Sequence, residues 1–150
     1  MTVTNKWTVF STKFVMDIKK YTVKKIINTP NAPAPIGPYN QAVLIGNTLY
    51  ISGQIPLDPI TGNLLEGDIK KETRQCMENI KAILTEAKLD FENVVKASIF
   101  VKDMNQFSEI NTVYGSYFNS DTAPARETVE VANLPKFVNV EISMIAVSDH

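Results

Sequence analysis

The chain has one cysteine, Cys76, one histidine, His150, and only two arginines, Arg74 and Arg126. A single cysteine excludes an internal disulfide and any cysteine-cluster metal site. With the lone histidine as the last residue, a Ser-His-Asp triad, a Cys-His dyad and a histidine-ligated zinc centre find no base or ligand in the body of the chain. Nowhere do about 18 apolar residues run together, so no helical membrane span is expected. Any catalysis must be built from Glu, Asp, Tyr, Lys, Arg, backbone groups and water. No metal and no cofactor are expected.

What is present describes one domain. At 150 residues with 44% apolar content, a single core can bury about 70% of the unfolded surface. Charge is unevenly spread: residues 1–25 carry six lysines against Asp17, or +5, while residues 26–150 carry nine bases against fifteen acids, or −6. An acidic body lacks the clustered cations that a phosphate backbone demands, so no nucleic-acid partner is expected. Residues 1–22 are expected to form an N-terminal extension, and 23–150 the domain. Met16 would serve as an equally good start, with the segment before it dispensable. The basic start, with Trp7, Phe10 and Phe14 at helical spacing, resembles a mitochondrial presequence except that it has no arginine. A cytoplasmic location is expected, with the mitochondrion as the alternative.

Along the chain, four prolines within Pro30–Pro38 rule out a helix or a central strand. They predict a stiff loop, which serves either as a plain connector or as the device that aims Tyr39. A hairpin follows, Gln41–Ile45 and Thr48–Ile55 about Gly46-Asn47. In its second strand Ile51, Gly53 and Ile55 are expected on one face, with Tyr50, Ser52 and Gln54 on the other. A helix over about Asp68–Lys88 is predicted from Ile69, Cys76, Ile80, Ile83, Leu84 and Ala87. Cys76 reads as a small buried hydrophobe and Arg74 as solvated. A strand at Val94–Val101 would bury Val95, Ala97, Ile99 and Val101. Asp103 and Gln106 have capping-box spacing ahead of a second helix from near Met104. Phe107, Ile110, Tyr114 and Tyr117 with Phe118 make that helix's apolar stripe, and Asn111 sits one step off it, as a marginal polar residue or an amide facing a pocket. Strands at Arg126–Val131 and Val138–Val147 complete the pattern, and in the first of them Val129 and Val131 are expected on the helix-covered apolar face, opposite Arg126, Thr128 and Glu130.

These elements predict an α+β layer, a mixed sheet with two helices packed on one face. Alternation places Ser52, Arg126, Thr128 and Glu141 together on the uncovered face. Ile145, Val147 and Phe100 share it, and a half-apolar face of this kind predicts a homo-oligomer.

Arg126 has two readings. One is a structural ion pair with Glu127 or Glu130, of which only Glu130 shares its strand face. The other is a carboxylate grip, since a guanidinium offers two parallel donors.

Asn31-Ala32-Pro33-Ala34-Pro35-Ile36-Gly37-Pro38-Tyr39, Ser52-Gly53-Gln54-Ile55-Pro56, Val101-Lys102-Asp103-Met104, Pro124-Ala125-Arg126 and Val129-Glu130-Val131 occur in the order and spacing of the RidA (YjgF) family, which the chain resembles over about residues 24–148. The resemblance implies a chorismate-mutase-like homotrimer with intersubunit ligand sites. It also implies hydrolysis of 2-aminoacrylate, 2-iminobutyrate and related imino or enamino acids, released by pyridoxal-phosphate enzymes, to 2-keto acids and ammonia. Arg126 would be the carboxylate anchor and Glu141 the acid that orients or activates water. Tyr39, Ser52, Gly53, Asn111 and Thr128 would line the pocket. Thr128 departs from the cysteine of many members, and the loop at Asn119–Ala123 is short. Two other classes compete: an RNA-directed ribonuclease or translation inhibitor, and a non-catalytic binder of small carboxylates.

Overall fold

The computed structural model describes residues 23–148. The expected extension, Met16 and His150 lie outside the described residues. Six strands form one sheet: β1 (Lys25–Ile27), β2 (Ala42–Ile45), β3 (Thr48–Gln54), β4 (Val94–Val101), β5 (Ala125–Glu130) and β6 (Val140–Val147). Their order is β1-β2-β3-β6-β4-β5, with β4 and β5 parallel and every other pair antiparallel. The parallel pair needs a crossover, and α2 (Phe107–Gly115) supplies it. The other α-helix among the described residues, α1 (Ile69–Glu86), connects β3 to β4. The architecture is the α+β layer that the periodicities predict.

Local chemistry sets the helix ends. Asp68 caps α1, its carboxylate accepting from Lys70 N at 3.0 Å and Lys71 N at 3.2 Å. The expected end at Lys88 falls two residues earlier. Lys88 takes a left-handed φ of 60°, its N–H bonds to Thr85 O and that of Leu89 to Leu84 O, which closes the helix in a Schellman motif. Asp103 caps a single 3-10 turn, Met104–Gln106, and α2 starts only at Phe107. The reciprocal half of the expected capping box is replaced by Asn105, whose Nδ2 donates to Asp103 at 2.8 Å.

The core lies between the helices and one sheet face. Val140, Ile142, Met144 and Ala146 of β6 are buried with Ala97, Ile99 and Val101 of β4, under Cys76, Met77, Ile80, Ile83 and Leu84 of α1. Cys76 is the small buried hydrophobe expected; burial pushes its thiol up, and the carboxylates of Glu72 and Glu141 add to the effect. Arg74 is exposed as expected. Two bulges correct the strand alternation. One between Val94 and Lys96 buries Val94 and leaves Val95 exposed. Another between Ile51 and Gln54 turns Gln54 into the core opposite Ile142. An extra residue in one strand reverses the facing of everything beyond it, which no count by twos anticipates. The final strand begins at Val140, because Pro135–Phe137 forms a 3-10 turn.

The proline loop is held by one side chain. Gln41 is 3% exposed; its Oε1 accepts from Thr29 N at 2.7 Å, and its Nε2 donates to the carbonyls of Thr29, Ala32 and Pro33 at 2.9–3.0 Å. A loop with so few amide donors of its own cannot satisfy these carbonyls internally. Gln41→Ala should therefore destabilise the fold by about 2 to 4 kcal/mol. Denaturant unfolding measures this, and a loss below about 1 kcal/mol would show that water replaces the amide.

Candidate functional site

Glu141 projects from β6 on the face away from the helices, between the buried Val140 and Ile142. The Ile51–Gln54 bulge turns Gly53 toward it, contrary to the expectation that Gly53 lies with the apolar residues. A Cβ on Gly53 would stand 2.7 Å from Glu141 Cδ and 3.0 Å from Cγ. Glycine is thus required by close approach. Ser52 Oγ donates to Asn40 O at 2.7 Å, and Ser52 N to Gln41 O at 3.0 Å, tying the bulge to the end of the proline loop. Tyr39 enters through a tight turn, its N–H donating to Gly37 O at 2.8 Å, and its hydroxyl accepts from Ile36 N at 3.4 Å. This self-bonded segment presents a ring that is 47% exposed.

Tyr39, Ser52, Gly53 and Glu141, with Ile36, Ile55 and Pro135, line an open cavity of about 460 Å³. Pro135 is followed by Lys136 and Phe137 at φ 55° and 59°, two left-handed non-glycine residues in a row, a costly conformation concentrated at binding sites. Burial raises the Glu141 carboxyl above its ordinary value. Among the described residues Glu141 has no hydrogen bond or ion pair, so no partner opposes that shift.

Arg126 lies elsewhere. In the parallel register it pairs with Ala97, and Ala97 pairs with Met144, both buried under the helices. Glu141 pairs with Phe100 on the opposite face. The expected common face for Arg126, Thr128, Ser52 and Glu141 is therefore corrected: Arg126 and Thr128 share the helix side of β5, Glu141 the uncovered side. From strand spacing and rise, the Arg126 and Glu141 Cα atoms are roughly 14 Å apart. The error arises because β5 is an edge strand. Its Val129, expected in the core, is 42% exposed, and only the register on β4 reveals which side is covered.

On its own side Arg126 is well held. Nη1 donates to Asn111 Oδ1 at 2.8 Å, which makes Asn111 a polar contact and not a marginal residue. The guanidinium carbon lies 4.9 Å from the Tyr114 ring centroid and 5.6 Å from that of Phe107. Among the described residues Arg126 makes no ion pair. Glu127 points to the other face, as expected from adjacency, and bonds Lys96 and Ser98, which hold its carboxyl below the usual range. Glu130 accepts from Met104 N at 2.7 Å. The structural ion-pair reading has no partner left. Among the described residues the buried Thr128 and Tyr114 hydroxyls have no hydrogen-bond partners, and Tyr114 is pushed up to about 12 by burial, against the opposing charge of Arg126.

The seven expected site residues thus fall into two groups, Tyr39, Ser52, Gly53 and Glu141 in one, Asn111, Arg126 and Thr128 in the other. Sequence reasoning missed Phe107 and Tyr114, assigned only to an apolar stripe, although with Asn111 they recur at i, i+4 and i+7, one helix face. Among the described residues no three His, Cys, Asp or Glu side chains group as metal ligands, and no helix is long and apolar enough to cross a membrane.

Comparison with known proteins places this arrangement. The family profile described as Endoribonuclease L-PSP matches residues 29–148. A RutC family protein of Pyrococcus horikoshii is 53% identical over 124 residues, covering 83% of this chain and 98% of that protein. The 2-iminobutanoate/2-iminopropanoate deaminase of Bos taurus is 52% identical over 125 residues, covering 83% and 90%. The crystal structure of E. coli TdcF with bound serine superposes with a TM-score of 0.78 at 43% identity, covering 83% of this chain and 99% of that one. A profile match across nearly the whole described domain, with half the residues identical in full-length relatives, makes this chain a member of the RidA (YjgF) family.

Proposed function

We propose that the protein is an imine deaminase, hydrolysing 2-iminobutyrate, 2-iminopropionate and their enamine tautomers to 2-keto acids and ammonia, at a site shared between subunits of a homotrimer. The observation that carries this reading is Arg126. It is stacked on two rings, bonded to one amide and paired with no carboxylate among the described residues. A guanidinium so held has a free edge matched to a planar carboxylate. Relatives about 50% identical are named for this activity, and the related TdcF structure carries serine, an amino acid with a free carboxylate.

Because Arg126 and Glu141 face opposite sides of the sheet, one subunit cannot present both to a ligand of a few atoms. Packing of subunits around the half-apolar open face would bring Arg126 of one chain to the Tyr39–Glu141 cavity of the next. In that assembled site Arg126 fixes the substrate carboxylate, and Tyr39 and Ser52 bound the imine. Glu141, ionised, accepts a proton from water as its oxygen adds to C2. The C=N π pair passes to the nitrogen, which takes up a proton to give the carbinolamine; the C2–N bond then breaks as the nitrogen receives the proton held by Glu141 and the hydroxyl gives up its own to the carboxylate, leaving the ketone and ammonia. An imine carbon is already electrophilic, so orientation and proton transfer suffice.

Three outcomes test this. With 2-iminobutyrate generated by a threonine dehydratase, the protein should accelerate 2-ketobutyrate formation over buffer, and Arg126→Lys should lose at least about tenfold in kcat/KM because an ammonium cannot reproduce the fork. No acceleration by the intact protein, or a fully active lysine variant, would reject the reading. Since burial raises Glu141 and the working form is the carboxylate, more of it is protonated at any acidic pH than for a free glutamate. The enzymatic kcat/KM should therefore fall on acidification with a midpoint above the ordinary 4.5. A midpoint at or below 4.5 would remove Glu141 from that role.

A further inference from the structure

The surroundings of Arg126 carry more than an anchor. Phe107, Asn111 and Tyr114 lie on one stripe of α2, and all three meet the guanidinium: two rings at 5.6 and 4.9 Å and an amide oxygen at 2.8 Å. Tyr114 is 5% exposed, and its own ring packs on Phe118 at 4.8 Å between centroids, so it is a fixed platform. Its hydroxyl has no hydrogen-bond partner among the described residues. What Tyr114 offers Arg126 is therefore the ring face, since among the described residues nothing bonds its oxygen.

We infer that Tyr114 is a positioning residue for Arg126: with Phe107 it clamps the guanidinium plane, so that one edge is committed to Asn111 and the other is pre-set outward for a carboxylate. The inference rests on Arg126 as the carboxylate anchor and names the device that makes it effective. A free arginine side chain loses much rotamer freedom when it binds a ligand. A clamped one has lost it already, and the gain appears in affinity. The face of an aromatic ring attracts a guanidinium through its quadrupole, which leaves the in-plane N–H groups available. Leucine fills similar space without that attraction.

The chain's two arginines make the test clean, since an Nε–Hε spectrum contains two side-chain signals and Arg74→Lys assigns them. In the native protein Arg126 should show a ring-shifted Hε and hindered rotation about Cζ–Nε. Tyr114→Phe should keep both, and Tyr114→Leu should lose both. The same variants are then titrated with 2-ketobutyrate and assayed for imine hydrolysis. Tyr114→Phe should bind as the native protein does; Tyr114→Leu should weaken binding and raise KM about tenfold, with kcat within about twofold. If Tyr114→Leu does not fold, Phe107→Leu gives the same readouts from the other ring. Free rotation of Arg126 in the native protein, native affinity in the leucine variants, or equal losses in Tyr114→Phe and Tyr114→Leu would overturn the clamp. A hindered guanidinium that ignores 2-ketobutyrate would instead overturn the anchor reading and leave the clamp standing.

Discussion

The parallel register of β5 on β4, which sets Arg126 beside Ala97, governs what this molecule can do. It puts the guanidinium on the side where α2 supplies two rings and an amide. It also sends Glu127 to the other face, where Lys96 and Ser98 occupy its carboxylate. Shifted by one residue, the strand would expose Arg126 to the uncovered face and bury Glu127 against the aromatic rings. A parallel pair is fixed by its crossover, and α2 is both that crossover and the wall of the arginine site. The element that sets the register and the element that grips the side chain are the same.

A second constraint shapes the opposite face. The bulge in β3 brings Gly53 against Glu141, and Ser52 binds that bulge to Asn40 and Gln41. Gln41 in turn carries the proline loop that aims Tyr39. Backbone irregularity, an amide and a run of prolines thus act together to hold a carboxylate in a partly dry place. That placement makes it a stronger base than a free glutamate. In the proposed reading both halves of the site are held by contacts within their own chain, which suits a reaction that depends on orientation more than on a reactive group.

Much of this was legible in the sequence. The apolar periods of α1, β4 and β6 located the core, the scarcity of histidine and cysteine removed competing chemistries, and the family resemblance supplied the roles of Arg126 and Glu141. Strand alternation failed where it must. The bulge at Val94–Lys96 leaves no compositional mark, the one at Ile51–Gln54 is marked only by Gly53, and β5, an edge strand carrying Val129 against Arg126 and Thr128, has no apolar face decisive enough to declare its covered side. The aromatic platform was visible as a helical stripe. It could not be assigned to Arg126 until the crossover had placed the two together.

The central claim is that Arg126 and Glu141 act on one substrate from different chains. Co-expressing an Arg126→Lys chain with a Glu141→Gln chain tests it most directly. If the site is shared, about a quarter of the sites in randomly mixed trimers combine an intact arginine from one chain with an intact glutamate from its neighbour. Imine hydrolysis should then return to about that fraction of the native rate, although each variant alone is nearly inactive. Mixed trimers no more active than the two parents would contradict the account.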